Sequence, residues 1–278
     1  MFQKIPYKRF GEFISLQADR FALLCSILDE CSLSRQILEI EGKRHIVVPG
    51  WQAQGGLADR LIFTAHYDRT PQSPGANDNG AAVFQLIETA LRLHTQALFI
   101  FTDGEELSKG ESLRLQGSFS LGLFLKKNGL GNSPVFTFDA CGTGDTLIIS
   151  TAADRLLKNE SGAGAETVRR KVLNLRRRAL EAAREARLEK VLLLPTPFSE
   201  DAGFLLAGMA AQTITVLPGS EAALVRRNMT QFINIENTDR RLIPETWRNL
   251  NGPGDSPLRL TPEHWKKFSA FAEALTGR

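Results

Sequence analysis

Leu61-Ile62-Phe63-Thr64-Ala65-His66-Tyr67-Asp68 is a short, almost unbroken apolar run that ends on an imidazole and a carboxylate. A run of this length reads as a strand buried on both faces. Working outward, Val83, Leu86, Ile87, Ala90 and Leu91 recur at helical spacing over Val83–Leu93. Ala97–Thr102 and Pro134–Phe138 read as further apolar strands, with a helix over Phe119–Lys127 between them. Strands are expected at Thr146–Ser150, Val191–Leu194 and Thr213–Leu217, and a helix at Asp201–Ala207. The closing segment, Pro262–Leu275, reads as a helix with Thr261 as N-cap, Pro262 at its first position and Glu263 in its first turn. Leu38–Ile40 and His45–Val48 around Glu41-Gly42 form a hairpin signal at a sheet edge. Short hydrophobic strands alternating with helices predict an α/β fold, a largely parallel sheet covered on both faces.

Composition narrows the function classes. The chain has 278 residues, 42% hydrophobic and 23% charged, ordinary for a globular protein. The 34 Lys and Arg nearly balance 31 Asp and Glu, leaving a net charge of +3. That balance argues against nucleic acid or an anionic membrane as a partner. Met1–Phe13 has no continuous apolar run and does not read as a signal peptide. Cys25, Cys31 and Cys141 lack metal-site spacing and are expected as buried thiols in a reducing compartment, hence a cytoplasmic protein. One domain over residues 1–278 is expected. Within it, 154–190 stands out as a helical insertion or lid. The Arg-rich part of that segment, Glu166–Lys190, carries Glu181, Glu185 and Glu189 and reads as a solvated helix face with pairs such as Arg177/Glu181.

Chemistry-bearing residues follow three of the strands. His66 and Asp68 close the first run, Glu105 and Glu106 follow the strand ending at Thr102, and Asp139 follows Phe138. Asp78 sits in the turn Gly75-Ala76-Asn77-Asp78-Asn79-Gly80. In an open parallel sheet, groups at the carboxyl ends of strands gather along one edge. Singly, each motif has a plainer reading: a surface histidine, a turn before a helix, a solvated Glu pair. Their joint order points instead to a hydrolytic metal site, since imidazole and carboxylate hold zinc while leaving a position open for water. Asp68 is placed to orient His66 through its other ring nitrogen.

At these motifs the chain resembles the zinc-dependent exopeptidases of the bacterial leucyl aminopeptidase type, whose relatives include the glutaminyl cyclases. The likeness runs from about Arg60 to Asp139, then more weakly through Phe198–Pro218 and Thr246–Leu275. It implies a mixed, mostly parallel sheet in a three-layer fold, and zinc. It also implies that His66, Asp78 and Asp139 hold one ion, that Asp78 and Glu106 hold a second, and that Glu105 is the general base with Asp68 orienting His66. Ser199-Glu200-Asp201-Ala202-Gly203-Phe204 is similar to the family's Ser-Asp-His stretch, without its His. The family's last ligand, a His followed four residues later by Asp, matches Asn251-Gly252-Pro253-Gly254-Asp255; Asn237-Thr238-Asp239 is a rival with its Asp at the wrong distance. Asn251 is a far poorer zinc ligand than imidazole, so one tightly held zinc and a weak second are expected. His45, His94 and His264 are the other histidines that a site could recruit. The implied activity is removal of N-terminal residues from a peptide or aminoacyl substrate. A glutaminyl cyclase-like acyltransferase and a non-catalytic metal-binding homologue are the alternatives.

Overall fold

The computed structural model describes residues 7–49, 60–93, 97–158, 160–232 and 238–277. Among these, eight strands form a single sheet: β1 (Gln36–Ile40), β2 (Lys43–Val48), β3 (Leu61–His66), β4 (Ala97–Thr102), β5 (Val135–Phe138), β6 (Thr146–Ser150), β7 (Val191–Leu194) and β8 (Ala211–Leu217). Their order is β1-β2-β4-β3-β5-β8-β6-β7. β4, β3, β5 and β8 run parallel at the centre, and β2 and β6 join antiparallel on either side. The expected hairpin is present as β1–β2, with Glu41 and Gly42 at positive φ in its turn.

Strand periodicity sorts the core into two layers. Leu61, Phe63 and Ala65 of β3, Phe99 and Phe101 of β4, and Phe136 and Phe138 of β5 face one side. That side is covered by α1 (Tyr7–Phe13), α2 (Arg20–Glu30), α3 (Ala82–Leu93), α6 (Ala163–Glu185) and α10 (Trp265–Ala274). Ile62, Leu98, Ile100 and Val135 face the other side, against Leu121 and Leu125 of α4 (Gly117–Leu125) and Phe204 of α7 (Asp201–Leu206). A satellite cluster joins Ile148, Leu194 and Leu217 to α8 (Gly219–Arg227) and to Trp247 of α9 (Glu245–Asn249). α5 (Ala152–Lys158) leads into α6. α6 buries Val168, Val172, Leu175 and Ala179 in the main core, and its ion pairs run from Arg169 to Glu166 and from Arg176 to Asp154.

Two expectations are corrected. Thr261 does not cap the last helix. Pro262–His264 forms a 3-10 turn ahead of α10, and the Thr261 hydroxyl is committed elsewhere, accepting from Gly144 N–H at 2.8 Å. Cys141 is buried as expected, but Cys25 and Cys31 are only half-buried, packed at the edge of the main core. No helix among the described residues is long and apolar enough to cross a membrane.

Candidate metal centre

β3, β4 and β5 are parallel, so their carboxyl ends lie side by side, with His66 opposite Thr102. His66 is the last residue of β3 and is fully buried. Its Nε2 lies 3.1 Å from Asp78 Oδ1 and 3.6 Å from Asp139 Oδ1, and its Nδ1 lies 3.4 Å from Asp68 Oδ1. Yet both ring nitrogens, Asp68 Oδ1, Asp139 Oδ1 and Glu106 Oε1 are buried with no partner of hydrogen-bond geometry. Buried polar atoms normally pair. On the Nε2 side of His66, the Asp78 and Asp139 carboxylates face a point that one cation could share, while Nδ1 faces Asp68 on the other side of the ring. Ligand atoms of His66, Asp78 and Asp139 lie within 4.8 Å of one another, and so do those of His66, Glu105 and Glu106. Imidazole with carboxylates is a zinc-type donor set, so these residues fit a divalent ion.

The turn that carries Asp78, Ala76–Ala81, is held from two directions. The N–H groups of Asn77 and Asp78 donate to Asp255 Oδ1 and Oδ2 at 2.8 and 2.9 Å. Asn79 Nδ2 donates to Phe138 O at 2.8 Å, and Asn77 Oδ1 accepts from Gly142 N–H at 2.7 Å. The two asparagines thus fasten the Asp78 turn to the end of β5 that bears Asp139. Gly75 precedes the turn at φ 58°, where a Cβ would sit 2.7 Å from Asp78 O, so only glycine fits without strain.

Glu105 and Glu106 leave β4 through Asp103-Gly104. Asp68 Oδ2 accepts the Glu106 N–H at 3.0 Å, so one carboxylate touches both the His66 ring and this turn. Glu105 Oε1 accepts from Gln116 Nε2 at 3.2 Å, while Gln116 Oε1 accepts from Gly203 N–H at 3.1 Å, which fixes the amide's orientation.

Charge is unevenly shared here. Burial opposes a charged His66, but Asp139, Asp68 and Asp78 together raise its pKa well above the ordinary value. Burial also works against the Asp68 carboxylate, yet His66 and the Glu106 and Glu105 N–H groups hold its pKa below normal. Burial and then Asp139 push Asp78 up. Glu105 is pushed well up by burial, with His66 opposing and Asp139, Glu106 and Asp78 adding to the shift. Glu106 rises to about 9 through burial and Asp78. The cluster therefore holds more carboxylate than one imidazole can neutralise, the electrostatic condition that a bound cation relieves.

The remaining sequence candidates fall out as follows. Asn251 lines the same cleft as Asp78, Glu105 and Asp139, whose lining also includes Phe198, Trp247 and Leu250. Its backbone is at φ 63°, and its carbonyl accepts from Thr70 Oγ1 and Gln72 Nε2 at 3.1 and 3.2 Å. Asp255, four residues on, is the carboxylate that holds the Asp78 turn. His45 is buried beneath the Asp103 turn, where its Nδ1 accepts the Asp103 N–H at 3.2 Å. His264 faces Glu263. Among the described residues, His66 is the only histidine in a metal-type cluster. His94 and Asn237 lie outside the described residues, and Asp239 is paired with Arg241 at the surface.

Sequence reasoning passed over Gln116, and it noted Glu200 and Asp201 only within the Ser199–Phe204 stretch, not as the buried carboxylates they are. Glu200 accepts from the hydroxyls of Thr64 and Thr102, and Asp201 from Thr213. A signal existed: Thr64 and Thr137 each stand two residues before a candidate ligand, on the same strand face. Threonine in otherwise apolar strands marks where buried acceptors lie.

A profile of peptidase family M28 matches residues 47–192, more than half of the chain. The chain belongs to peptidase family M28. This M28 chain is 30% identical over 126 residues to a probable lipoprotein aminopeptidase, LpqL, of Mycobacterium tuberculosis; the match takes in 40% of this chain and 24% of that protein. A zinc aminopeptidase of Bacillus subtilis, BSAP, superposes with a TM-score of 0.55 at 21% identity, covering 84% of this chain and 48% of the other. A glutaminyl cyclase of Porphyromonas gingivalis gives a TM-score of 0.66 at 13% identity, covering 99% and 98%. The M28 chain thus spans about a quarter of the curated relative and about half of the B. subtilis enzyme. The two superpositions show a shared zinc exopeptidase fold. The family match stops short of Glu200, Asn251 and Asp255, whose places rest on the structure alone.

Proposed function

We propose that this chain is a metal-dependent exopeptidase, an aminopeptidase that hydrolyses the N-terminal peptide bond of a peptide or aminoacyl substrate. One observation carries the reading: His66, buried with unpaired ring nitrogens, belongs to two clusters of ligand atoms, one with Asp78 and Asp139 and one with Glu105 and Glu106, at the strand ends of an M28 chain. His66, Asp78 and Asp139 hold one zinc tightly. Asp78 and Glu106 offer a second position, which Asn251 completes only with a weak amide oxygen. Zinc bound there supplies Lewis acidity toward the scissile carbonyl and lowers the pKa of water. Glu105 takes the proton from the attacking water and delivers it to the leaving amine, while the Gln116 amide keeps its carboxylate turned to the cleft. Asp68 holds the His66 ring in orientation. The cleft between the carboxylates and Phe198, Trp247 and Leu250 takes the N-terminal residue.

The test joins metal content with turnover on aminoacyl anilides. Glu105→Gln should lower kcat by roughly 10²–10⁴-fold with zinc still bound; retained turnover would remove Glu105 from its role. Two tightly bound ions per chain would overturn the single strong site. Conversion of N-terminal glutamine to pyroglutamate, without anilide hydrolysis, would make the chain a cyclase. Metal binding with neither activity would make it a binding protein.

A further inference from the structure

Arg20 begins α2 behind the N-cap Asp19, whose carboxylate accepts from Ala22 N–H at 3.0 Å. Its side chain does not follow the helix surface outward. It is 5% exposed, 4.6 Å over the Phe13 ring, and it spends all five guanidinium N–H groups on main-chain carbonyls. Nε donates to Phe13 O at 3.2 Å, Nη1 to Tyr67 O and Asp68 O at 3.1 and 3.2 Å, and Nη2 to Pro74 O and Gly75 O at 2.7 and 2.9 Å. No carboxylate takes any of them, although buried cations are ordinarily paired. The charge is held instead by carbonyl dipoles and by the more distant Asp68, Asp78 and Asp255. Burial and Arg69 bring the pKa down to about 10, so the group stays cationic at neutral pH.

The four loop carbonyls belong to the two segments that carry the ligands. Tyr67 and Asp68 directly follow His66; Pro74 and Gly75 directly precede the Asp78 turn. We propose that Arg20 is a positioning residue for the metal centre: its guanidinium clamps the loop after His66 to the loop before Asp78, so that both ligands stand in place before an ion arrives. The inference rests on the metal-centre reading above. It also accounts for Gly75, where a Cβ would lie 2.5 Å from Arg20 Nη2. Lysine is no substitute. It offers three donors from a single point, whereas the planar fork reaches both loops at once. A fixed cation beside surplus carboxylates further opposes their spreading in the metal-free state.

The test is zinc affinity, measured by competition with a chromophoric chelator on stripped full-length wild type, Arg20→Lys and Arg20→Met, with folding checked by circular dichroism. Phe271→Leu, a core truncation on α10, controls for lost global stability. The Arg20 variants should bind zinc about 10–100-fold more weakly, while Phe271→Leu keeps wild-type affinity. A folded Arg20 variant with wild-type affinity would overturn the inference. Wild type that binds no zinc would overturn the metal-centre reading instead. Side-chain NMR of metal-free wild type decides preorganisation even if the variants do not fold. Resolved, slowly exchanging Arg20 Nε–H and Nη–H signals are expected; signals that exchange as fast as those of a surface arginine would refute the clamp.

Discussion

At the scale of single residues, the centre is built from side chains whose partners are main-chain groups of other loops. Asp255 shows the pattern. Its two oxygens each accept one N–H, from Asn77 and Asp78, and burial followed by the Asp78 charge raises its pKa to about 6. Asp255→Asn would present an amide NH₂ to one of those donors. It should cost about 1–3 kcal/mol of stability and weaken zinc binding. Chemical denaturation and a zinc titration check this, and wild-type values for both would count against the role given to Asp255. Four residues earlier stands Asn251, a residue type that tolerates the left-handed backbone adopted there. The Asn251-to-Asp255 spacing was legible in the sequence. The two-oxygen grip of Asp255 was not, because its partners lie 177 and 178 residues away.

At the scale of elements, the sheet face toward α7 changes character along its length. Ile62, Leu98, Ile100 and Val135 are apolar, whereas Thr64, Thr102, Thr137 and Thr213 nearer the site are hydroxylic and buried. The start of α7 answers with Glu200, its N-cap, and Asp201, and burial first of all raises both to about 7. The folded chain therefore binds more protons than the unfolded one between about pH 4 and 7. Stability from these groups is full below that window and is lost as pH rises through it. Glu200→Gln removes one such group, so the melting temperature of Glu200→Gln minus that of wild type should increase from pH 5 to pH 8. A difference independent of pH would show that Glu200 is not the titrating group. The strands here were readable as short apolar runs, such as Leu61–Ala65, buried on both faces. The pairing of strand threonines with helix carboxylates was not, because the sequence does not state which helix covers which face.

At the scale of the whole molecule, an ion held at the proposed centre would tie β3, β5 and the Asp78 turn together and should act on global stability. Zinc at about 100 times its Kd would stabilise the fold by about 2.7 kcal/mol. At about 2–4 °C per kcal/mol, chelator-treated protein should melt several degrees below zinc-loaded protein in calorimetry. Equal melting temperatures would mean that no ion binds the native state in preference. The zinc effect should shrink on acidification, since His66, whose pKa the surrounding carboxylates raise against burial, must give up its proton to bind.

The sequence by itself determined the apolar strands, several of the helices that pack on them and the imidazole and carboxylates at the strand ends, and it carried enough of the family pattern to point to the fold. Those features are local. An apolar run, its period and the residue that ends it lie within a dozen positions of one another. Only the tertiary structure decided which buried polar groups meet around these residues: Arg20 across the two loops, Asp255 on the Asp78 turn, Gln116 between Glu105 and α7, and Glu200 under Thr64 and Thr102. Each is a buried polar group satisfied by a partner far along the chain, and such a match exists only once the packed sheet has brought the two segments within hydrogen-bonding reach.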